Sequence, residues 1–204
     1  MKKITLFAIV ALLSVTAFSQ KGVFDNAVYI RPGYAFPGGD MKDGKVITHG
    51  AQFEVGTIFY ISGVKLPDNM KFGIDATYMA ISGYVNLDKS QNENKTDSYF
   101  RAGMKVGPCF SYNFAGNWIG DVYVKAYPHT FVTGEKENSH LDAKTQTKVG
   151  LSTGLNIRYK ALVIGYEFMT GKYKFDFVDP SMDVTSDSKN IAIPTSVLSI
   201  GVKF

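Results

Sequence analysis

The sequence predicts an all-β fold, an eight-stranded antiparallel up-and-down transmembrane β-barrel. Three observations carry the prediction. Apolar residues alternate with small or polar ones in eight segments; the charges inside those segments share one parity; and Leu198, Ile200, Val202 and Phe204 set an apolar row at two-residue spacing that finishes on an aromatic. Successive strand side chains point to opposite faces, so such a row needs a hydrophobic surface outside the fold, and a bilayer supplies it.

The first element is an export signal. Lys2 and Lys3 precede the apolar run Ile4 to Val15, and Ala17-Phe18-Ser19 forms a small-x-small site before Gln20. Residues 1–19 therefore read as a cleaved signal peptide and 20–204 as a single barrel domain. No later stretch approaches the roughly 18 continuous apolar residues of a spanning helix. The formal charge of +4 includes Lys2 and Lys3, which leaves +2 for residues 20–204, with both signs interspersed. No basic run of the kind that tracks phosphates occurs, so the reading includes no nucleic acid. The lone Cys109 excludes a disulfide framework and a Cys-rich metal site.

The eight strands are expected near 27–36, 50–60, 71–81, 99–111, 119–129, 147–158, 162–170 and 192–204. Each has about the 9–11 residues that a tilted strand needs to cross the hydrocarbon. Long connections near 37–49, 82–98, 130–146 and 171–191 alternate with short ones near 61–70, 112–118 and 159–161. That asymmetry belongs to outer-membrane barrels, with long loops outside and short turns in the periplasm. Outward rows are expected at Val28, Ile30, Tyr34; Phe53, Val55, Phe59; Phe72, Ile74, Tyr78; Phe100, Met104, Val106, Phe110; Val122, Val124, Ala126; Val149, Leu151, Leu155, Ile157; and Leu162, Ile164, Tyr166, Phe168. The opposite rows hold Arg31, Glu54, Lys71, Asp75, Arg101, Lys105, Asp121, Lys125, Lys148, Arg158, Glu167 and Lys203. A charge facing lipid at mid-depth costs roughly 2–4 kcal/mol, which is why one parity collects them all. Glycines share the charged rows, and small residues there leave room for long ones in a narrow polar lumen. A soluble lipocalin-like barrel would reverse the two faces. Pro32 is central in its strand, and a bulge there would reverse the facing of Tyr34.

Tyr29-Ile30-Arg31-Pro32-Gly33-Tyr34-Ala35-Phe36 is similar to the opening strand of the small outer-membrane β-barrel family that includes the OmpA membrane domain and OmpX-like proteins. Leu198, Ile200, Val202 and Phe204 resemble that family's assembly signal, read by the barrel-insertion machinery. The resemblance implies a place in the outer membrane with periplasmic termini. It also implies a role in envelope integrity, adhesion or surface recognition, and an extracellular protein as a ligand of the loops. No cofactor follows from it.

Arg31, Glu54, Asp75, Lys105, Lys125 and Glu167 lie at mid-depth and form the expected lumen charge belt, three of each sign. Buried ions persist only when paired, so Arg31 with Glu54 and Asp75 with Lys105 are expected to bridge neighbouring strands and help close the lumen. The alternative is a narrow polar pore. After Thr170 the alternation reverses, and Tyr173, Phe175 and Phe177 are expected either to cap the barrel mouth or to form a surface that recruits a partner by edge pairing. Residues 86–98 read as a polar, solvated loop. Tyr34, Tyr99, Phe100 and Phe168 on one side, and Phe59, Phe110, Trp118, Tyr159 and Phe204 on the other, are expected as interfacial girdles.

Of the three histidines, His129 is followed by Thr130-Phe131, without the His-x-Ser arrangement of lipid A deacylases, and no carboxylate is placed by sequence to orient its ring. No H-E-x-x-H, G-x-S-x-G or glycine-rich phosphate loop occurs. A non-enzymatic barrel is the expectation, with a lipid A-modifying enzyme as the alternative.

Overall fold

The computed structural model describes residues 24–39, 47–85, 98–137, 140–177 and 187–204. The export signal and most of the segment 86–98 lie outside them. The strands are β1 (Ala27–Pro37), β2 (His49–Tyr60), β3 (Met70–Val85), β4 (Ser98–Ala115), β5 (Trp118–Glu137), β6 (His140–Tyr159), β7 (Leu162–Met169), β8 (Lys172–Phe177), β9 (Asp187–Ala192) and β10 (Thr195–Lys203). Eight of them close into an antiparallel barrel in the order β1-β10-β7-β6-β5-β4-β3-β2, and β8 and β9 form a separate hairpin. Closure leaves no unpaired edge, the condition a β-fold must meet inside lipid.

Strands β5 and β6 depart from the expected length. Each runs for 20 residues, about 66 Å at ~3.3 Å per residue, and they stay paired from Trp118↔Tyr159 to Glu137↔His140. The segment read as a loop near 130–146 is thus mostly a hairpin continuing the wall. Its neighbour β7 stops at Met169, opposite Ser152, and just beyond it Thr170 still donates to the Leu151 carbonyl at 2.8 Å.

Exposure along the barrel alternates, and the exposed row is the apolar one. In β5, Trp118, Val122 and Val124 are exposed while Ile119, Asp121, Tyr123, Lys125, Tyr127, His129 and Phe131 are buried. β7 reads exposed, buried, exposed without a break. Met104, Leu155, Ile164, Leu198 and Ile200 continue the same outer coat. Val202 departs from its row at 8% exposure. It lies between Ile30 on β1 and Leu162 on β7.

Two positions in the ladder test the sequence reading. At Pro32 the strand does not bulge: Arg31, Pro32, Gly33 and Tyr34 oppose Glu54, Phe53, Gln52 and Ala51 in unbroken register, and Tyr34 faces out. The bulge is on β3 instead. Both of its ladders shift around Tyr78 and Met79, whose side chains are both exposed, so Ala80, Ser82 and Tyr84 turn inward where simple parity would send them out. One extra residue on one strand reverses the facing of everything beyond it.

Glycine on the inner row makes space for specific rings. A Cβ at Gly56 would meet the Tyr29 hydroxyl at 2.4 Å, and one at Gly154 would meet the Tyr123 hydroxyl at 2.5 Å. Each tyrosine lies over the glycine directly opposite it on the adjacent strand, a position that only glycine leaves open.

Candidate functional site

The interior is the part of this molecule with chemistry, and it is built in tiers along the barrel axis. Nearest the short turns, Arg158 on β6 forks onto Asp121 on β5, donating from Nε to Oδ2 and from Nη2 to Oδ1, both at 2.7 Å. Ser111 donates to the same Asp121 Oδ1 at 2.6 Å, and Arg158 Nη2 reaches the Tyr60 hydroxyl at 2.6 Å. This bidentate pair fixes both partners at once.

The middle tier holds two ion groups. In the first, Glu54 accepts from Arg31 Nη2 at 2.5 Å, from Gln52 Nε2 at 3.0 Å and from Lys105 Nζ. Lys105 also donates to Glu167, which accepts from Ser152. Arg31 Nη1 donates to Asn156 at 2.6 Å. In the second, Lys125 Nζ lies 3.2 Å from Asp75 Oδ2 and 3.1 Å from Thr77, and the Tyr29 hydroxyl donates to Asp75 at 2.7 Å.

The six belt residues come together, with one change of partners. Arg31 meets Glu54, directly opposite on the neighbouring strand. Asp75 does not meet Lys105. Lys125, two strands away, takes Asp75, and Lys105 spans Glu54 and Glu167. In so narrow a lumen a lysine reaches across the barrel as easily as along the wall, so strand adjacency does not decide its partner.

Above the belt lies an aromatic tier. Phe131 stacks on Tyr173 with centroids 4.2 Å apart, and Tyr99 stacks on Phe131 at 5.9 Å. Met169, Tyr84, Tyr127, Ile47 and Ile193 are buried with them. Tyr173 is fully buried here and not at the surface: its ring is worth more packed on Phe131 than in water. The side chains of Phe175 and Phe177 lie outside the described residues. Tyr99, expected in a girdle, shares the inner row with Arg101 and is likewise buried. Lys148 departs the other way and is exposed, because β6 at that height has already left β7.

His129 Nδ1 contacts the Tyr127 carbonyl at 2.8 Å and Nε2 the Tyr173 hydroxyl at 2.6 Å. The carbonyl only accepts, so Nδ1 carries the proton and Nε2 accepts from Tyr173. Both nitrogens are thereby engaged. Among the described residues no group of three or more His, Cys, Asp or Glu is placed to hold a metal ion.

Sequence reasoning had placed Arg101, Asp121 and Arg158 on the inner row without assigning them a role. Of the aromatic tier only Tyr173 is expected at the mouth from the sequence; its partners are not, although Tyr123, Tyr127 and Phe131 alternate with outward residues along β5 and carry the same period-two signal.

The outside complements the inside. At the short-turn end Trp118 lies 4.7 Å from Tyr159 and 6.4 Å from Phe114 between ring centroids, and Phe59 and Phe204 are exposed at that end. At the other end Tyr34, Phe36, Phe100 and Phe168 are exposed. Apolar band, aromatic rims and ionic interior define an eight-stranded barrel of the outer-membrane type.

Comparison with solved structures points the same way. Ail, the attachment invasion locus protein of Yersinia pestis, in complex with the heparin analogue sucrose octasulfate, matches at 14% identity, covering 89% of this chain and 100% of that one, with a TM-score of 0.55. A second structure of Ail matches at 12% identity over the same shares with a TM-score of 0.52, and Neisserial surface protein A at 12% identity, over 88% and 97%, with 0.48. At 12–14% identity the likeness to Ail is one of fold. No family model matches the chain, and no curated protein does.

Proposed function

We propose that this chain is a non-enzymatic integral outer-membrane barrel with a closed lumen, which presents its long loops for adhesion, surface recognition or envelope integrity. The observation that carries the reading is the inverted build, with an apolar coat outside and interlocked ion groups inside. A soluble barrel would gain nothing from that coat, and a porin would not fill its channel. In this reading the short turns and both chain termini face the periplasm. Leu198, Ile200, Val202 and Phe204 engage the barrel-assembly machinery, and the bilayer covers the outer row. The engaged nitrogens of His129 support a non-catalytic reading over lipid A modification, since neither is left to take a proton from a nucleophile.

The paired β5–β6 hairpin favours recognition within this group of roles, because it holds an ordered surface well clear of the membrane. The test compares cells carrying the chain, cells lacking it, and cells in which 134–143, the far end of the β5–β6 hairpin, is replaced by a short Gly-Ser turn. Attachment to immobilised protein and sulfated-glycan surfaces is measured beside detergent sensitivity and lipid A mass. The sulfated glycan is chosen because Ail was captured with such an analogue. Loss of attachment or of detergent resistance, with lipid A mass unchanged, is the expected result. Identical behaviour of all three strains, or a lipid A mass change that follows the gene, overturns it.

A further inference from the structure

Among the described residues the buried charges do not balance: the cations are Arg31, Arg101, Lys105, Lys125, Arg158 and Lys203, against the carboxylates Glu54, Asp75, Asp121 and Glu167. Each carboxylate is engaged by a cation other than Arg101 and Lys203. Lys203 lies at the short-turn end and donates to the Asp25 carbonyl at 3.0 Å. Arg101 has no such outlet. It is wholly buried, and its Nε, Nη1 and Nη2 all lack a hydrogen-bond partner.

Its surroundings narrow what is missing. The Arg101 guanidinium carbon lies 5.4 Å from the Tyr84 ring centroid and 5.5 Å from that of Tyr173. Contact with aromatic rings uses the face of the guanidinium and leaves its in-plane N–H donors unspent. Two buried hydroxyls in the same aromatic tier, those of Tyr84 and Tyr127, are also without partners. Three groups able to donate are therefore left over in one tier, where one carries an uncompensated charge. Nearby acceptors are taken: Glu167 is held by Lys105 and Ser152, and His129 Nε2 by Tyr173. Unmet buried donors beside a free positive charge call for an acceptor that is itself negative.

We infer that Arg101, with the hydroxyls of Tyr84 and Tyr127, forms an interior anion-binding site in the outer third of the lumen. It takes a small acceptor-only anion, of halide or simple carboxylate size. A small anion is favoured because Tyr84, Tyr127 and Tyr173 are buried in the same cluster and leave Arg101 no exposure to solvent. The anion completes the plug and ties β3, β4 and β5 together beneath the surface loops. This site goes beyond the proposed function and does not depend on what the loops bind.

Bromide is the probe. Crystals of the detergent-solubilised barrel isolated from membranes are grown in sodium bromide and measured at the bromine absorption edge. An anomalous peak within hydrogen-bond range of Arg101 and at least one of the two hydroxyls is expected, and Arg101→Met should lose it while retaining heat-dependent gel mobility. In the unmodified protein alone, the thermal midpoint should rise with the logarithm of bromide concentration at constant ionic strength set by a bulky sulfonate. A water or one of the chain's own carboxylates at Arg101, with no anomalous peak, overturns the site. So does a midpoint that stays flat across the titration, which would mark any peak as an adventitious ion only.

Discussion

Glu54 is where the middle tier is most sensitive, because a single carboxylate accepts from both Arg31 and Lys105. Glu54→Gln leaves two buried cations sharing fewer acceptors, and removing one partner of a buried pair costs about 3–5 kcal/mol. A fall of that order in unfolding free energy, read from urea titrations of the barrel in lipid vesicles, is the expected outcome. The exchanged pairing is open to a double-mutant cycle. Asp75 and Lys125 should couple by about 1–3 kcal/mol, and Asp75 with Lys105, which do not touch, by clearly less. Coupling of the second pair equal to that of the first would contradict the observed geometry. Arg31 opposite Glu54 was legible beforehand, because a cross-strand pair is a property of register. Lys125 with Asp75 was not, because it depends on how the closed wall curves and which side chains reach across.

Along the strands, the alternation of exposed and buried residues assigns each substitution a sign. Val124 sits mid-strand on the outer row of β5, so Val124→Arg should destabilise the vesicle-embedded barrel by roughly 2–4 kcal/mol. Thr147→Arg, exposed on β6 above the last β7 pairing, should change stability by less than about 0.5 kcal/mol in the same titration. On the inner row, Gly56→Ala drives a methyl against the Tyr29 hydroxyl and the Ala76 carbonyl, which lies 2.5 Å from the added carbon. The Tyr29 bonds to Asp75 and Thr77 would then be lost, and the yield of heat-modifiable barrel should drop. Strand existence was plain from period two; strand length was not. β5 and β6 read as ending near the membrane because their apolar content does, yet backbone pairing continues through polar sequence once a partner strand is already in register. The bulge at Tyr78 and Met79 was hidden for a related reason: an extra residue shows only when its ladders on both sides are in view.

At the scale of the whole barrel, the inverted build predicts a closed conduit. Reconstituted in a planar bilayer, the protein should show no large stable conductance, since the Glu54–Lys105–Glu167 link and the Tyr99–Phe131–Tyr173 stack lie one above the other in the lumen. Nitroxide labels at Val124 and Leu151 should contact hydrocarbon and respond to oxygen more than to a water-borne relaxant. Water contact at both sites would reverse inside and outside.

The order of residues alone determined that this chain is a barrel, which row faces outward and where the charges go, because a two-residue period and the expense of an ion on an apolar face act locally on every strand. Closure decided the rest. Only when the wall curves round on itself do side chains from distant strands share one narrow space, and only there does it emerge which carboxylate each lysine reaches, which aromatic rings stack across the mouth, and that Arg101 is left with its N–H donors unspent.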